Sequence, residues 1–113
     1  IRIMQSFIKV KYNALAAAGD IQKYLTLNVE NAYRVDVVAG NARIYYNIPS
    51  SSGKIWYVDM DFSGTLVAAD VTQLENLITS VQQEPLSIET FLPQTDNDFY
   101  LTAFAVDEAV YPS

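Results

Sequence analysis

Thirteen Asp and Glu side chains are the first place to look for chemistry in this chain of 113 residues. Asp59 and Asp61 stand two apart, and Asp96 and Asp98 repeat the spacing. On an extended segment that spacing turns both carboxylates to one face, and converging carboxylates are what a hard cation such as calcium requires. Neither the central Gly nor the closing Glu of a calcium loop is in place. Solvation on the surface of an acidic chain explains the four more simply, so no metal or other cofactor is expected. Ser52-Gly53-Lys54 has the ending of a phosphate loop without the rest: the leading Gly falls at Ile48 and the final Ser or Thr at Ile55. Ser50 to Ser52 offer hydroxyl nucleophiles, but with no His and no Cys only a Lys or a carboxylate is left as base. A run of serines at a hairpin tip is turn chemistry first. Carboxylate pairs can hydrolyse glycosides, yet nothing marks any one pair. The chain is expected not to be an enzyme.

Composition narrows the partners. Seven Lys and Arg against thirteen Asp and Glu give a net charge of −6, the wrong sign for neutralising phosphates or anionic headgroups. Neither nucleic acid nor membrane is an expected partner. Without Cys there are no disulfides or thiolates, and without His the ordinary zinc sites and the commonest general base are gone. Half of the residues are apolar, and a chain of this length makes one domain that buries about two-thirds of its unfolded surface. No apolar run approaches the ~18 residues of a spanning helix. The N-terminus lacks the basic, apolar, small-residue order of a signal peptide. Ile1 opens the chain, so either residues have been trimmed or Met4 is the natural start and Ile1 to Ile3 are remnants.

These residues must be positioned by a sheet. Residues 24–62 read as a four-strand antiparallel meander. With a two-residue loop at Gly40 and Asn41, Ala39 pairs with Ala42, and Val37, Val35 and Tyr33 face Ile44, Tyr46 and Ile48 on one side. The turn formers from Pro49 to Gly53 then set Tyr46 opposite Trp56, Ile44 opposite Val58 and Asp59 opposite Arg43, an ion pair across strands. A short turn at Glu30, Asn31 and Ala32 would pair Val29 with Tyr33, Leu27 with Val35 and Leu25 with Val37. Residues 4–12 form a strand with Ile8, Val10 and Tyr12 on one face and Phe7, Lys9 and Lys11 on the other, which suits an edge. Residues 13–20 are an alanine-rich loop with one helical turn. A helix over 70–84 starts at Asp70 as cap with Gln73 as its capping-box partner, carries the stripe Val71, Leu74, Leu77, Ile78 and Val81, and ends at Pro85. A short extended segment covers 86–92, and a polar loop covers 94–98. The last strand, 99–106, is apolar on both faces and therefore interior or covered; residues 107–113 are a tail. The predicted fold is α+β: an antiparallel β-meander sheet of five to six strands with one amphipathic helix packed on one face.

The second face of the meander is mixed rather than plainly wet. It places Tyr24 beside Val38, Arg43 and Asp59, Thr26 beside Asp36, Tyr45 and Tyr57, and Asn28 beside Arg34, Asn47 and Ile55. Tyrosine with arginine is a pairing enriched where proteins meet. Aromatic residues favour strands in any case, but the contiguity of Tyr45, Tyr57, Ile55 and Val38 points to a surface for a partner. Tyr24, Tyr45, Tyr57, Ile55, Arg34 and Arg43 are the candidate interface.

The run Tyr24-Leu-Thr-Leu-Asn-Val-Glu-Asn-Ala-Tyr-Arg-Val, the strands at Ile44-Tyr45-Tyr46 and at Ile55 to Phe62, and the helix from Ala69-Asp70-Val71-Thr72-Gln73-Leu74 to Val81 resemble small proteins encoded by tailed phages, particularly those of marine bacteria. The resemblance spans roughly residues 22–84. It implies a decoration or accessory head or tail protein, placed in the virion or otherwise in the host cytoplasm, whose partners are copies of itself or other virion proteins. Two other functions fit the composition: a small-molecule- or divalent-metal-binding protein built on Asp59, Asp61, Asp96 and Asp98, and an acidic host-directed inhibitor that imitates nucleic acid.

Overall fold

A computed structural model describes residues 6–12, 23–84 and 88–110. Alternating apolar residues set the strands and a three-and-four spacing sets the helix. In chain order these are β1 (Phe7–Lys11), β2 (Tyr24–Asn28), β3 (Ala32–Val38), β4 (Asn41–Pro49), β5 (Ile55–Phe62), α1 (Ala68–Gln83), β6 (Ile88–Phe91) and β7 (Leu101–Ala109). The fold is α+β, but the strands divide between two sheets, ordered β2-β1-β6 and β3-β4-β5-β7. β1 runs parallel to β6 and antiparallel to β2.

The division corrects the expected four-strand meander. Residues 29–32 do form a turn, with the Ala32 N–H donating to the Val29 carbonyl at 3.1 Å. β2 nevertheless leaves β3 and pairs with β1, Leu27 opposite Ile8 and Leu25 opposite Val10, so the expected Leu27–Val35 and Leu25–Val37 pairs do not form. The physical reason lies at the turn. The Val29 N–H donates to the Ser6 carbonyl at 2.8 Å, and the Gln82 side-chain amide donates to the carbonyls of Val29 and Ala32, both at 2.8 Å. Polar groups far away in sequence thus hold this turn as a crossing between sheets.

The other strands keep their parity. Ala39 and Gly40, at φ 53° and 79°, occupy the two turn positions, making a type I′ connection in place of the expected Gly40-Asn41 loop. Val35 therefore meets Ile44, and Val37 meets Ala42, each partner two residues from the expected one. An even shift leaves every side chain on its own face. A bulge between Ala32 and Arg34 then reverses the parity, burying Ala32 and turning Tyr33 out to solvent. Between β4 and β5 the pairs Ile44–Val58, Tyr45–Tyr57 and Arg43–Asp59 form as read. A second irregularity, which brings Pro49 opposite Ile55, displaces the expected Tyr46–Trp56 pair.

Three further placements differ from expectation. β1 lies in the middle of its sheet, so its lysines mark an outward face and not an edge. β7 is the outermost strand of the four-stranded sheet rather than an interior one, and it runs on to Ala109 through what reads as tail. α1 starts at Ala68, which puts Asp70 at its third position; the Asp70 carboxylate reaches back to accept the Val67 N–H at 3.1 Å. Gln73, the expected capping partner, instead donates to the Leu92 carbonyl at 2.6 Å and accepts the Gln94 N–H at 3.1 Å. The expected loop at 13–20 and residues 4–5 of the expected first strand lie outside the described residues.

One core joins the layers. Val71, Leu74, Ile78 and Val81 of α1 are buried against β1, β3 and β6. Leu77 packs at the margin. Phe62 and Phe91 meet edge to face across the two sheets, with ring centroids 6.0 Å apart. Each aliphatic side chain fully buried in this way contributes about 1.5–3 kcal/mol over an exposed one.

Candidate protein interface

Alternation along β3, β4 and β5 sends Arg34, Asp36, Arg43, Tyr45, Tyr57 and Asp59 to the face away from the core. There they close on one another. The Arg43 guanidinium holds Asp59 with two hydrogen bonds of 2.7 and 3.0 Å and lies 4.2 Å from the centroid of Tyr57. Tyr57 and Tyr45 are 5.9 Å apart, Arg34 lies 6.0 Å from the Tyr45 ring, and Arg34 donates to Asp36 at 3.1 Å. The hydrogen bond to Asp59 raises the Arg43 pKa despite its burial. Burial pushes the Tyr57 phenol up, against the pull of the Arg43 charge. Opposite charges and ring faces are paired in a ladder, so every member has its electrostatic partner inside the chain.

This placement reshapes the candidate interface. Arg34, Arg43, Tyr45 and Tyr57 are brought together, but Tyr45 is only 8% exposed and Ile55 only 2%. Tyr24 stands on the other sheet, paired with Lys11, and is not beside Arg43. Arg34, Arg43, Tyr45 and Tyr57 form one network on the outer face of the four-stranded sheet.

The acidic residues do not converge. Asp59 is engaged by Arg43, the Asp96 carboxylate accepts the Asp98 N–H at 2.9 Å, and Asp98 lies 3.9 Å from the Lys11 ammonium. Among the described residues no group of three or more acidic side chains is placed to hold a metal. The serines have a structural use. Ser50 and Ser52 both donate to the Glu108 carboxylate, Ser50 at 3.2 Å, and Ser50 Oγ accepts the Lys54 N–H at 3.2 Å. The cluster ties the tip of the β4–β5 hairpin to β7. A shallow groove of about 280 Å³ lies between β3 and α1, floored by Val35 and Ile78 and rimmed by Arg34 and Glu75.

The surface the sequence reading placed inside is the one that stands open. On β7, Phe104 and Val106 lie opposite Met60 and Val58 and so on the core side of the sheet, yet they are 41% and 56% exposed; Val110 beyond them is 74% exposed. Large apolar groups in a row on a nine-residue outermost strand are what natural sheets ordinarily avoid or cover. The signal was in the sequence, as a strand apolar on both faces. The same pattern fits an interior strand equally well. Among the described residues, no helix is long and apolar enough to cross a membrane. Comparison with family models, with curated proteins and with solved structures finds no match for this chain.

Proposed function

We propose that this chain is a non-enzymatic structural protein that works by associating with copies of itself, as an accessory or decoration component of a phage virion would. The observation that carries the reading is β7: a long outermost strand bearing Phe104 and Val106, both substantially exposed. An edge strand offers a row of backbone donors and acceptors, and apolar side chains beside that row add burial when another strand docks. Within the chain Asp59 is engaged by Arg43, and Glu108 by Ser50 and Ser52. The virion setting is supported by the resemblance of residues in the meander and helix alone.

Light scattering after size exclusion tests the reading. The expected outcome is a mass of at least twice the 12.6 kDa chain at concentrations of about 100 μM, a range in which even micromolar association is near complete. A strict monomer there removes self-association as the function.

A further inference from the structure

We infer that the contact between copies is β7 against β7, antiparallel, about a two-fold axis through Ala105. This inference rests on the self-association proposed above and adds the partner strand and the register. Among the described residues, β5 is the one strand to which β7 is hydrogen-bonded. On its other side, among the described residues, a single parallel bridge from Tyr12 reaches Leu101, and residues 102–109 continue as edge. Two-fold symmetry is the usual way for identical surfaces to meet, and a strand pairing with its own copy under that symmetry must run antiparallel.

Side-chain parity and charge select the register. In a strand pair, residues directly opposite lie on the same face, so only an axis passing through a residue keeps the Phe104 and Val106 faces of the two copies together. With the axis at Ala105, Phe104 faces Val106 of the second copy and Val106 faces its Phe104. The outer face sets Ala105 against Ala105 and Ala103 against Asp107, and the remaining pair is Thr102 with Glu108. Both carboxylates at the end of the strand therefore meet small neutral residues. An axis at Val106 would put Phe104 against Glu108, an axis at Asp107 would put like charges face to face, which is destabilising, and an axis at Phe104 would bring Asp107 onto Leu101, where the Tyr12 bridge already sits. The Ala105 register joins two four-stranded sheets into one of eight, with four apolar side chains clustered at the seam on the core side. Phe104 and Val106 gain the cover that they lack in the single chain.

The chain contains no Cys, so a single introduced thiol reports one position. Ala105→Cys and, as control, Asn76→Cys on the exposed side of α1 are oxidised at equal concentration and run on non-reducing gels. Expected is a covalent dimer from Ala105→Cys formed at least tenfold faster than from the control. The second variant, Phe104→Lys with Val106→Lys, changes two exposed positions; its melting temperature is expected within a few degrees of the parent, while its mass falls to that of a single chain. If the parent associates but Ala105→Cys links no faster than Asn76→Cys, the strand-pairing inference is overturned and self-association survives on another surface. If the parent is a monomer, both fall.

Discussion

Asp70 shows how much one side chain organises. It is fully buried, and its two oxygens accept hydrogen bonds from the Val67 N–H at 3.1 Å, the Thr95 N–H at 3.1 Å and the Thr95 hydroxyl at 2.7 Å. Those bonds join the start of α1 to the loop after β6. Burial pushes the carboxyl pKa up, but the bonds from Thr95 and from backbone N–H groups outweigh it, and the group is held below its ordinary value. A depressed folded-state pKa contributes stability that is complete above the unfolded value near 4 and is lost as pH falls through the folded one. Asp70→Asn is therefore expected to cost about 1–3 kcal/mol at pH 7, measured by urea unfolding, with the difference from the parent shrinking below about pH 4. Arg43 allows a separate check on the ladder. Arg43→Met should cost about 1 kcal/mol, because the ion pair is only partly exposed and a ring contact goes with it. It should leave the associated mass unchanged, since the ladder satisfies itself within one chain.

At the scale of elements, the β3–β4 turn is the clearest case of local strain. Ala39 sits at φ 53°, a left-handed conformation that costs a residue with a Cβ roughly 1 kcal/mol. Asn tolerates it better and, followed by Gly, is the preferred pair for this turn. Ala39→Asn should raise stability by about 0.5–1 kcal/mol, visible as a rise in melting temperature. Gly40→Ala should do the opposite, because φ is 79° there and a Cβ would come within 2.8 Å of the Thr65 methyl. The helix was legible from its stripe: Val71, Leu74, Ile78 and Val81 are buried as a 3.6-residue period demands. The fate of the turn at 29–32 was not legible. A tight turn between two apolar strands looks the same whether it closes a hairpin or crosses between sheets, and Gln82 and Ser6, which hold it, are distant in sequence.

For the whole molecule, charge opposes assembly and burial drives it. Each copy carries −6, so bringing two together is repulsive at long range, and salt shortens that range from about 30 Å at 10 mM to about 8 Å at 150 mM. Association should therefore strengthen as NaCl rises from about 10 mM to about 500 mM, the reverse of a charge-driven complex; light scattering across that series checks the sign. Sequence alone determined what depends on neighbours in the chain: the α+β class, the amphipathic helix, the inward parity of Ile44 and Val58, and the Arg43–Asp59 pair, because strand alternation and helical period are local rules. Only the tertiary structure decided which strands shared a sheet and which lay outermost. Those choices turn on contacts such as Ser6 with Val29 and Tyr12 with Leu101, and a strand apolar on both faces suits an interior place or an open edge equally until its neighbours are known. That edge position is what brings Phe104 and Val106 to the surface, and with them the proposed means of assembly.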